Sequence, residues 1–183
     1  TDSIYYPTTA GVYQTDRAGE DDVIISRFSS DLTQLLCSTY LGGDYREYGY
    51  GFAFDNNEDL YICGTTKSPN FPTTVGVFNQ TDGEWVDGFL CKISADLSSL
   101  VYSTYVSTEG YDFLYDTAID VDGYVYVTGC TESPNYPTTP GAYKSSKTGS
   151  DYDAVLTKFS SDLSTLNFST FLGGSDYDRS NSL

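Results

Sequence analysis

The feature that most constrains the fold of this chain is a sequence unit of about 65 residues that occurs almost three times. A segment that runs from an Asp through an apolar stretch to Asp-Leu recurs at 22–32, 87–97 and 153–163. An aromatic residue followed by Pro recurs as Tyr6-Pro7, Phe71-Pro72 and Tyr136-Pro137, with Thr-Thr after each pair. Repetition on this scale is typical of propellers, solenoids and arrays, in which each unit covers its neighbour.

One copy of the unit contains four strand-like stretches and no helical periodicity. In the middle copy they are predicted at 50–55, 60–65, 88–93 and 100–106. Polar residues join the first two, and a connection of about 20 residues rich in Pro, Asn and Gly leads to the third. The pattern predicts an all-β chain of four-stranded antiparallel blades of the β-propeller type, with a β-solenoid as the alternative.

The blades do not form a complete propeller within this chain. Residues 1–48 are predicted to be a partial blade consisting of an outer hairpin, 49–113 and 114–179 to be full blades, and 180–183 to begin another. A closed propeller takes about four to eight blades, which 183 residues cannot supply. The chain is therefore expected to be a segment of a longer protein, or a subunit whose open blade edges recruit proteins or further copies of itself.

Charge and composition restrict the function further. The chain has 26 acidic and 9 basic residues, a net charge of -17 that disfavours nucleic acid as a partner. No apolar stretch is long enough for membrane insertion. Because the chain has no His, the usual Ser-His-Asp and Cys-His nucleophiles are absent, and the carboxylates fall mostly in turns. We expect a non-catalytic protein that requires no cofactor.

Four segments carry a resemblance to a known family. They are Ser38-Thr39-Tyr40-Leu41-Gly42-Gly43, Tyr102-Ser103-Thr104-Tyr105, Asp120 to Gly129 and Asn135 to Tyr143. In this order they look like the SBBP-type β-propeller repeats of exported bacterial and archaeal proteins, over essentially the whole chain. The copies depart from the pattern where Val106-Ser107-Thr108 replaces Leu-Gly-Gly. The resemblance implies a secreted or surface-displayed propeller, often within a larger protein, and it brings no catalytic residues.

Two turn sequences are candidates for calcium binding, because Asp and Asn oxygens in a tight loop suit a hard cation. They contain Asp120 and Asp122 in the third copy and Asp55 and Asn57 in the middle copy. Neither turn has the full EF-hand pattern, and Asp-Gly in a hairpin also follows from turn geometry alone. A purely structural turn is therefore the alternative to a calcium site.

The four cysteines contain no CxxC pair, so a zinc site has no support. Cys63 falls in the second predicted strand of the middle copy and Cys91 in the third, and these strands are neighbours. A Cys63 to Cys91 disulfide is a candidate if the strand register permits it. Cys37 and Cys130 fall in different blades and are not expected to pair with each other.

The aromatic-Pro-Thr-Thr loop is a candidate interaction site, because an aromatic ring beside two hydroxyls suits a glycan or protein partner. The candidate residues are Tyr6, Pro7, Phe71, Pro72, Tyr136 and Pro137. Packing between successive blades is the alternative, and the presence of the loop in every copy favours it. Two sequons, at Asn79 and Asn167, are candidates for glycosylation of an exported protein.

These observations predict a structural or adhesive scaffold that is secreted or displayed at the cell surface. Its expected partners are proteins or further copies of the chain, and glycans as a further candidate. The rival function is a ligand-binding propeller module for carbohydrate or calcium, whose site lies where the turns after the first strands converge.

Overall fold

The computed structural model describes residues 1–83 and 85–183, which form ten β-strands in three antiparallel sheets. The strands are β1 (Val23–Phe28), β2 (Leu35–Leu41), β3 (Glu47–Phe54), β4 (Leu60–Thr66), β5 (Asp87–Ile93), β6 (Leu100–Val106), β7 (Asp112–Ile119), β8 (Val125–Thr131), β9 (Asp153–Phe159) and β10 (Leu166–Leu172). None of the described residues belongs to a helix long and apolar enough to cross a membrane.

The strands pair in sequence order within each sheet. The first sheet contains β1 and β2, the middle blade has the order β3-β4-β5-β6, and the last blade has the order β7-β8-β9-β10. The prediction of four-stranded antiparallel blades is confirmed, and the solenoid alternative is wrong because neighbouring strands of each sheet run in opposite directions.

The first strands of the blades begin earlier than the sequence predicts. β3 begins at Glu47 rather than at residue 50, and β7, its equivalent in the last blade, begins at Asp112. Both strands start with a buried acidic residue, which polarity alone does not assign to a strand. The register of β3 also shifts between Gly49 and Gly51, so its alternation is irregular.

The apolar side chains form one core between each pair of successive sheets. Between the first sheet and the middle blade lie Val23, Ile25, Leu41, Leu60, Ile62, Phe71, Phe89, Cys91, Ile93, Leu97 and Tyr105. Between the middle and last blades lie Tyr61, Cys63, Leu90, Val106, Leu114, Val125, Val127, Tyr136, Val155, Phe159, Leu163 and Phe171. Every residue of β4 and β5 is buried, because these strands have a neighbouring sheet on both faces. The stability of each sheet therefore depends on the next one.

The turn between the last two strands of each sheet has the same unusual backbone in all three copies. Leu32, Leu97 and Leu163 have φ of 59°, 60° and 57°, a left-handed conformation that leucine rarely adopts. An aspartate precedes each leucine and fixes the turn; Asp96, for example, accepts hydrogen bonds from Ser94 Oγ (2.7 Å) and Ser98 Oγ (2.8 Å). We call these three residues the turn leucines.

Candidate interaction surfaces between blades

The turn leucines lie where two sheets meet. In the middle blade, the Leu97 carbonyl accepts a 2.7 Å hydrogen bond from the Tyr13 N–H, and Tyr13 belongs to the loop that precedes the first sheet. In the last blade, the Leu163 carbonyl accepts a 2.8 Å bond from the Phe78 N–H, in the loop of the middle blade. Leu97 is 3% exposed and Leu163 is fully buried. The same loop position therefore contacts the same turn position at both junctions.

A tyrosine adds a second contact at the junction of the middle and last blades. The Tyr61 hydroxyl, at the end of a buried side chain in β4, donates a 2.6 Å hydrogen bond to the Ser161 carbonyl. Ser161 lies in the turn that contains Leu163. Burial raises the pKa of Tyr61, so the phenol keeps the proton that this bond requires.

The aromatic loop residues that the sequence singled out pack against strands of their own sheets, and Phe71 and Tyr136 also belong to the cores between successive sheets. Phe71 is 2% exposed, with its ring centroid 4.6 Å from that of Phe89. Tyr136 is 3% exposed and its hydroxyl lies 2.9 Å from Thr157 Oγ1, while the Tyr6 hydroxyl lies 3.3 Å from Ser26 Oγ. This placement supports the packing interpretation of the loop over a ligand site at these aromatic rings.

The same loop covers the outer edge of each sheet. Thr74 donates its N–H to the Ser103 carbonyl at 3.0 Å, and its hydroxyl accepts the Ser103 N–H at 3.0 Å. Equivalent pairs join Thr9 to Ser38 and Thr139 to Ser169. The loop therefore uses backbone groups of the outer strands β2, β6 and β10 at Ser38, Ser103 and Ser169, so these strands are not open at these positions.

The predicted calcium residues are used for turn capping and lysine binding. Asp120 accepts hydrogen bonds from the Asp122 and Tyr124 N–H groups at 3.0 and 2.9 Å, and its other oxygen lies 3.2 Å from Lys158 Nζ. Asp55 likewise accepts the Asn57 N–H at 2.8 Å. Its second oxygen lies 2.8 Å from Lys92 Nζ, which also contacts Asp59 at 3.1 Å. A lysine ammonium thus stands where a cation would bind, and the geometry gives the calcium prediction no support.

No group of three or more Cys, Asp or Glu residues in the described part of the chain is placed to hold a metal ion. The sequence did not reveal, however, that buried carboxylates mark each sheet junction. Asp22 and Glu47 flank Gly42 at the first junction, where a Cβ on that glycine would lie 2.6 Å from Glu47 Oε2 and 2.7 Å from Asp22 Oδ1. At the second, Asp87 and Asp112 are 4% and 0% exposed.

The equivalent buried aspartates of the three copies, Asp22, Asp87 and Asp153, have different partners. The Gln14 amide donates to Asp22 Oδ2 at 2.9 Å, and Lys144 Nζ lies 2.8 Å from Asp153 Oδ2. Asp87 accepts the Gly83 N–H at 3.0 Å and forms no salt bridge within the described residues, and Oδ1 of the neighbouring Asp112 is buried without a hydrogen bond. Burial raises the pKa of Asp87 to about 6 and, together with the charge of Asp87, that of Asp112 to about 7.

The predicted Cys63 to Cys91 disulfide is wrong. In the β4–β5 pairing, Cys91 lies opposite Ile62 and Cys63 lies opposite Leu90. The one-residue offset directs the two thiols to opposite faces of the blade, and each belongs to a different core. All four cysteines are free, including Cys37 and Cys130.

The two sequons differ in surroundings. Asn79 is half-buried at the loop, and its side-chain oxygen accepts the Thr81 N–H at 2.9 Å. Asn167 lies at an irregularity in β10, and its side-chain oxygen is buried without a hydrogen-bond partner. Attachment of a glycan at Asn167 would require this side chain to turn outward, whereas Asn79 lies in a partly exposed loop.

A groove of 660 Å³ lies between the first sheet and the middle blade. Its walls include Ile24, Phe52, Phe54 and Leu60, with Arg27 and Glu58 paired at 3.1 Å on its rim. The groove also contains Ala95, which corresponds to Ser161 in the next repeat. The groove therefore corresponds to the space that the Tyr61 side chain fills at the other junction.

Sequence reasoning missed the turn leucines, although the signal was present. Each copy contains Asp-Leu at the same position of the unit, between two strands and beside Ser and Asp residues. A large apolar residue that recurs in a polar turn indicates a buried contact across a junction.

A comparison with curated proteins finds no match. The family model for the SBBP beta-propeller repeat matches residues 38–72, a span that runs from β2 through β3 and β4 to Pro72 of the aromatic-Pro-Thr-Thr loop. The match covers 35 residues, about half of the unit that this chain contains almost three times, and it identifies that segment as a repeat of the SBBP beta-propeller type.

Proposed function

We propose that this chain is part of a non-catalytic extracellular scaffold with a structural or adhesive role. It acts as a segment of a larger surface protein or as a subunit of a surface assembly. The observation that carries the proposal is the repeated architecture: antiparallel sheets follow one another along the chain, share apolar cores, and include a segment that matches the SBBP beta-propeller repeat at residues 38–72. Such repeat arrays present extended surfaces that suit a scaffold.

The extracellular part of the proposal is supported by composition and by the family of the matched repeat. The chain is rich in Tyr, Ser and Thr and has a net charge of -17, which favours solubility and keeps scaffolds apart from anionic surfaces. The buried hydroxyls and carboxylates described above form hydrogen bonds with backbone groups and with one another, and these bonds stabilise the fold.

Antibody labelling of intact source cells tests this proposal. We expect labelling without permeabilisation, and Fab fragments raised against the chain should reduce cell attachment or cell-to-cell aggregation. Fab fragments against an unrelated surface protein are the control. Labelling that requires permeabilisation would contradict the extracellular role, and surface labelling with unchanged attachment would leave a structural role and remove the adhesive one.

Carbohydrate binding is the second candidate, and a row of exposed aromatic residues favours it. Tyr45, Tyr48 and Tyr50 are 51%, 44% and 47% exposed at and just before β3, and the Tyr50 ring lies 5.4 Å from that of Tyr115. Flat aromatic surfaces of this kind suit the apolar faces of sugars. A glycan array with the chain and its Tyr50→Ala variant tests it: binding that the variant loses supports this function, and no binding by either protein rejects it.

A further inference from the structure

The middle and last blades meet at two buried carboxylates, one from each blade. Asp87 begins β5 of the middle blade and Asp112 begins β7 of the last blade. The Asp112 N–H donates a 2.8 Å hydrogen bond to the Val86 carbonyl, so the two aspartates lie beside one another across the junction. Two negative charges that are buried side by side destabilise the fold unless a positive group or a proton neutralises them.

A serine hydroxyl lies at the same place. Ser107 directly follows β6 and has the position of Gly42 in the first copy, where a Cβ would lie 2.6 Å from atoms of both buried carboxylates. Ser107 is itself buried. Burial raises the pKa of Asp87, and the Ser107 hydroxyl lies near enough to oppose that rise, although it forms no hydrogen bond with the carboxylate. The hydroxyl therefore adds a third oxygen to the two carboxylates.

Two of these buried oxygens, Ser107 Oγ and Asp112 Oδ1, have no hydrogen-bond partner within residues 1–83 and 85–183. The other Asp112 oxygen accepts the Thr108 N–H at 2.9 Å, and both oxygens of Asp87 share the Gly83 N–H at 3.0 Å. Buried polar atoms in proteins normally have a partner. The two unpartnered oxygens therefore indicate a group that binds between the carboxylates.

The equivalent aspartates of the other two copies each have a nitrogen donor from the preceding loop. In the last blade, Lys144 Nζ lies 2.8 Å from Asp153 Oδ2. In the first copy, the Gln14 amide donates to Asp22 Oδ2 at 2.9 Å. The middle copy has Asn79 at this loop position, and the Asn79 side-chain oxygen instead accepts a backbone N–H of its own loop at 2.9 Å. The middle copy thus lacks the donor that the other copies supply.

The charge of a second loop position changes in the same direction. The residue before the loop N–H that binds the aspartate is basic in two copies and acidic in the middle copy: Arg17, Lys147 and Asp82. Asp82 lies near enough to Asp87 to add to the rise in pKa that burial causes. In the part of the chain that the structure describes, Asp82, Asp87 and Asp112 form no salt bridge. Negative charge is therefore concentrated at this junction.

We propose that this junction binds a calcium ion, with Asp87, Asp112 and Ser107 as its side-chain ligands. Calcium accepts an irregular set of oxygen ligands completed by backbone carbonyls and water, whereas magnesium requires a nearly octahedral set. The ion takes the role that the Lys144 ammonium has in the last blade. Because its ligands come from both blades, it fixes one blade against the next. The site lies inside the array and does not depend on the scaffold proposal.

Two carboxylates make a weak calcium site. We expect a dissociation constant of about 10⁻⁴ to 10⁻³ M, the range of calcium sites in extracellular modules. Without calcium, protons neutralise the same carboxyl groups, because burial raises the pKa of Asp87 to about 6 and that of Asp112 to about 7. Calcium binding is therefore measured at about pH 8, where competition from protons is small.

Urea denaturation of the 183-residue chain in EDTA, in calcium and in magnesium tests the proposal. At a calcium concentration about ten times the dissociation constant, the equilibrium constant for unfolding should fall about tenfold relative to EDTA. Magnesium at the same concentration should have a smaller effect. It is the control for screening of the net charge of -17, which both ions provide equally.

Three variants locate the ion. Asp112→Asn should lose the calcium response, whereas Asp122→Asn removes the same charge at an exposed turn and should keep it. Asn79→Lys introduces the ammonium that Lys144 supplies in the last blade. This variant should be more stable than the unmodified chain in EDTA and should no longer respond to calcium.

Terbium luminescence gives a direct measure of binding. Trp85 is the single Trp of the chain and lies two residues before Asp87, with its ring 5.8 Å from that of Tyr111, which precedes Asp112. A terbium ion bound in place of calcium should therefore emit when Trp85 is excited, and calcium should displace it. Trp85→Phe should lose this emission and keep the stabilisation by calcium.

The proposal is overturned if calcium stabilises the unmodified chain no more than magnesium does. It is also overturned if Asp112→Asn and Asp122→Asn respond to calcium equally, or if Asn79→Lys keeps the full response. Terbium emission that survives in Asp112→Asn would likewise place the ion outside this junction.

Discussion

The Tyr61 hydroxyl donates a 2.6 Å hydrogen bond to the Ser161 carbonyl, and the two residues are separated by 100 positions in the sequence. The bond joins a buried strand of the middle blade to a turn of the last blade. Backbone bonds cross the same junction, from the Phe78 N–H to the Leu163 carbonyl and from the Asp112 N–H to the Val86 carbonyl, both at 2.8 Å. The apolar core between the two blades is therefore accompanied by directional polar contacts.

Removal of this hydroxyl should destabilise the chain modestly. Tyr61→Phe leaves the ring in the core but removes the donor to the Ser161 carbonyl, which should lower the free energy of unfolding by about 1 kcal/mol. Urea denaturation followed by circular dichroism measures the change. Tyr5→Phe, at an 88% exposed position, is the control and should be neutral. An equal effect of the two substitutions would show that the bond contributes nothing.

The turn leucines offer a comparison between equal local structures with unequal burial. Leu163→Ala removes a fully buried side chain at the blade junction and should cost about 2 to 5 kcal/mol. Leu32→Ala changes a residue that has nearly the same φ but is 77% exposed, and should change stability by less than about 0.5 kcal/mol. Denaturation at low protein concentration, where association is negligible, measures both. A similar cost at both positions would mean that the turn conformation matters and the junction does not.

The carboxylates of Asp87 and Asp112 should make stability depend on pH. Burial raises the pKa of Asp112 from 3.8 to about 7, so the folded chain binds this proton more tightly than the unfolded chain does. The resulting stabilisation is complete below about pH 4 and is lost as the pH rises through 7. Asp112→Asn should therefore raise the free energy of unfolding at pH 8 by an amount on the order of 2 kcal/mol, with little change near pH 4.

Urea denaturation of both proteins between pH 4 and pH 8 checks this prediction. Asp122→Asn removes one formal charge at an exposed position and is the control for the general effect of net charge. If the free energy of unfolding of Asp112→Asn and of the unmodified chain changed equally with pH, this would contradict the conclusion that the raised pKa of Asp112 makes stability depend on pH.

The cysteines should differ in reactivity and should not pair within the blade. Burial raises the pKa of both Cys63 and Cys91 to about 12, so the reactive thiolate is scarce in the folded chain. Cys37 is the half-buried thiol and should be alkylated first. Peptide mapping after alkylation, before and after unfolding, measures the order. A peptide pair joined through Cys63 and Cys91 would show that the β4–β5 register differs from the one described.

The sequence predicted the blades because their signals are local and repeated. The β-branched and aromatic stretches, the polar turns and the unit of about 65 residues each appear without knowledge of the fold. The middle-copy strands at 60–65, 88–93 and 100–106 agree with β4, β5 and β6 to within a residue. The recurrence of the aromatic-Pro-Thr-Thr loop likewise indicated packing.

The errors concern relationships between strands, which sequence does not encode locally. The Cys63 to Cys91 bridge failed because a register shift of one residue places a side chain on the other face of a sheet. The calcium prediction did not anticipate Lys92 and Lys158, which bind the turn aspartates and come from strands β5 and β9 rather than from the turns themselves. Neither relationship can be read from spacing along the chain.

The sequence by itself determined the blade and its turns, since residues close along the chain specify the hairpins and the left-handed leucines. Only the tertiary structure decided which copies of a repeated residue are buried. Leu32, Leu97 and Leu163 share one turn geometry, yet only the latter two are buried. The physical reason is that burial depends on the presence of an adjacent sheet, so residues with the same local conformation differ in exposure according to their place in the array.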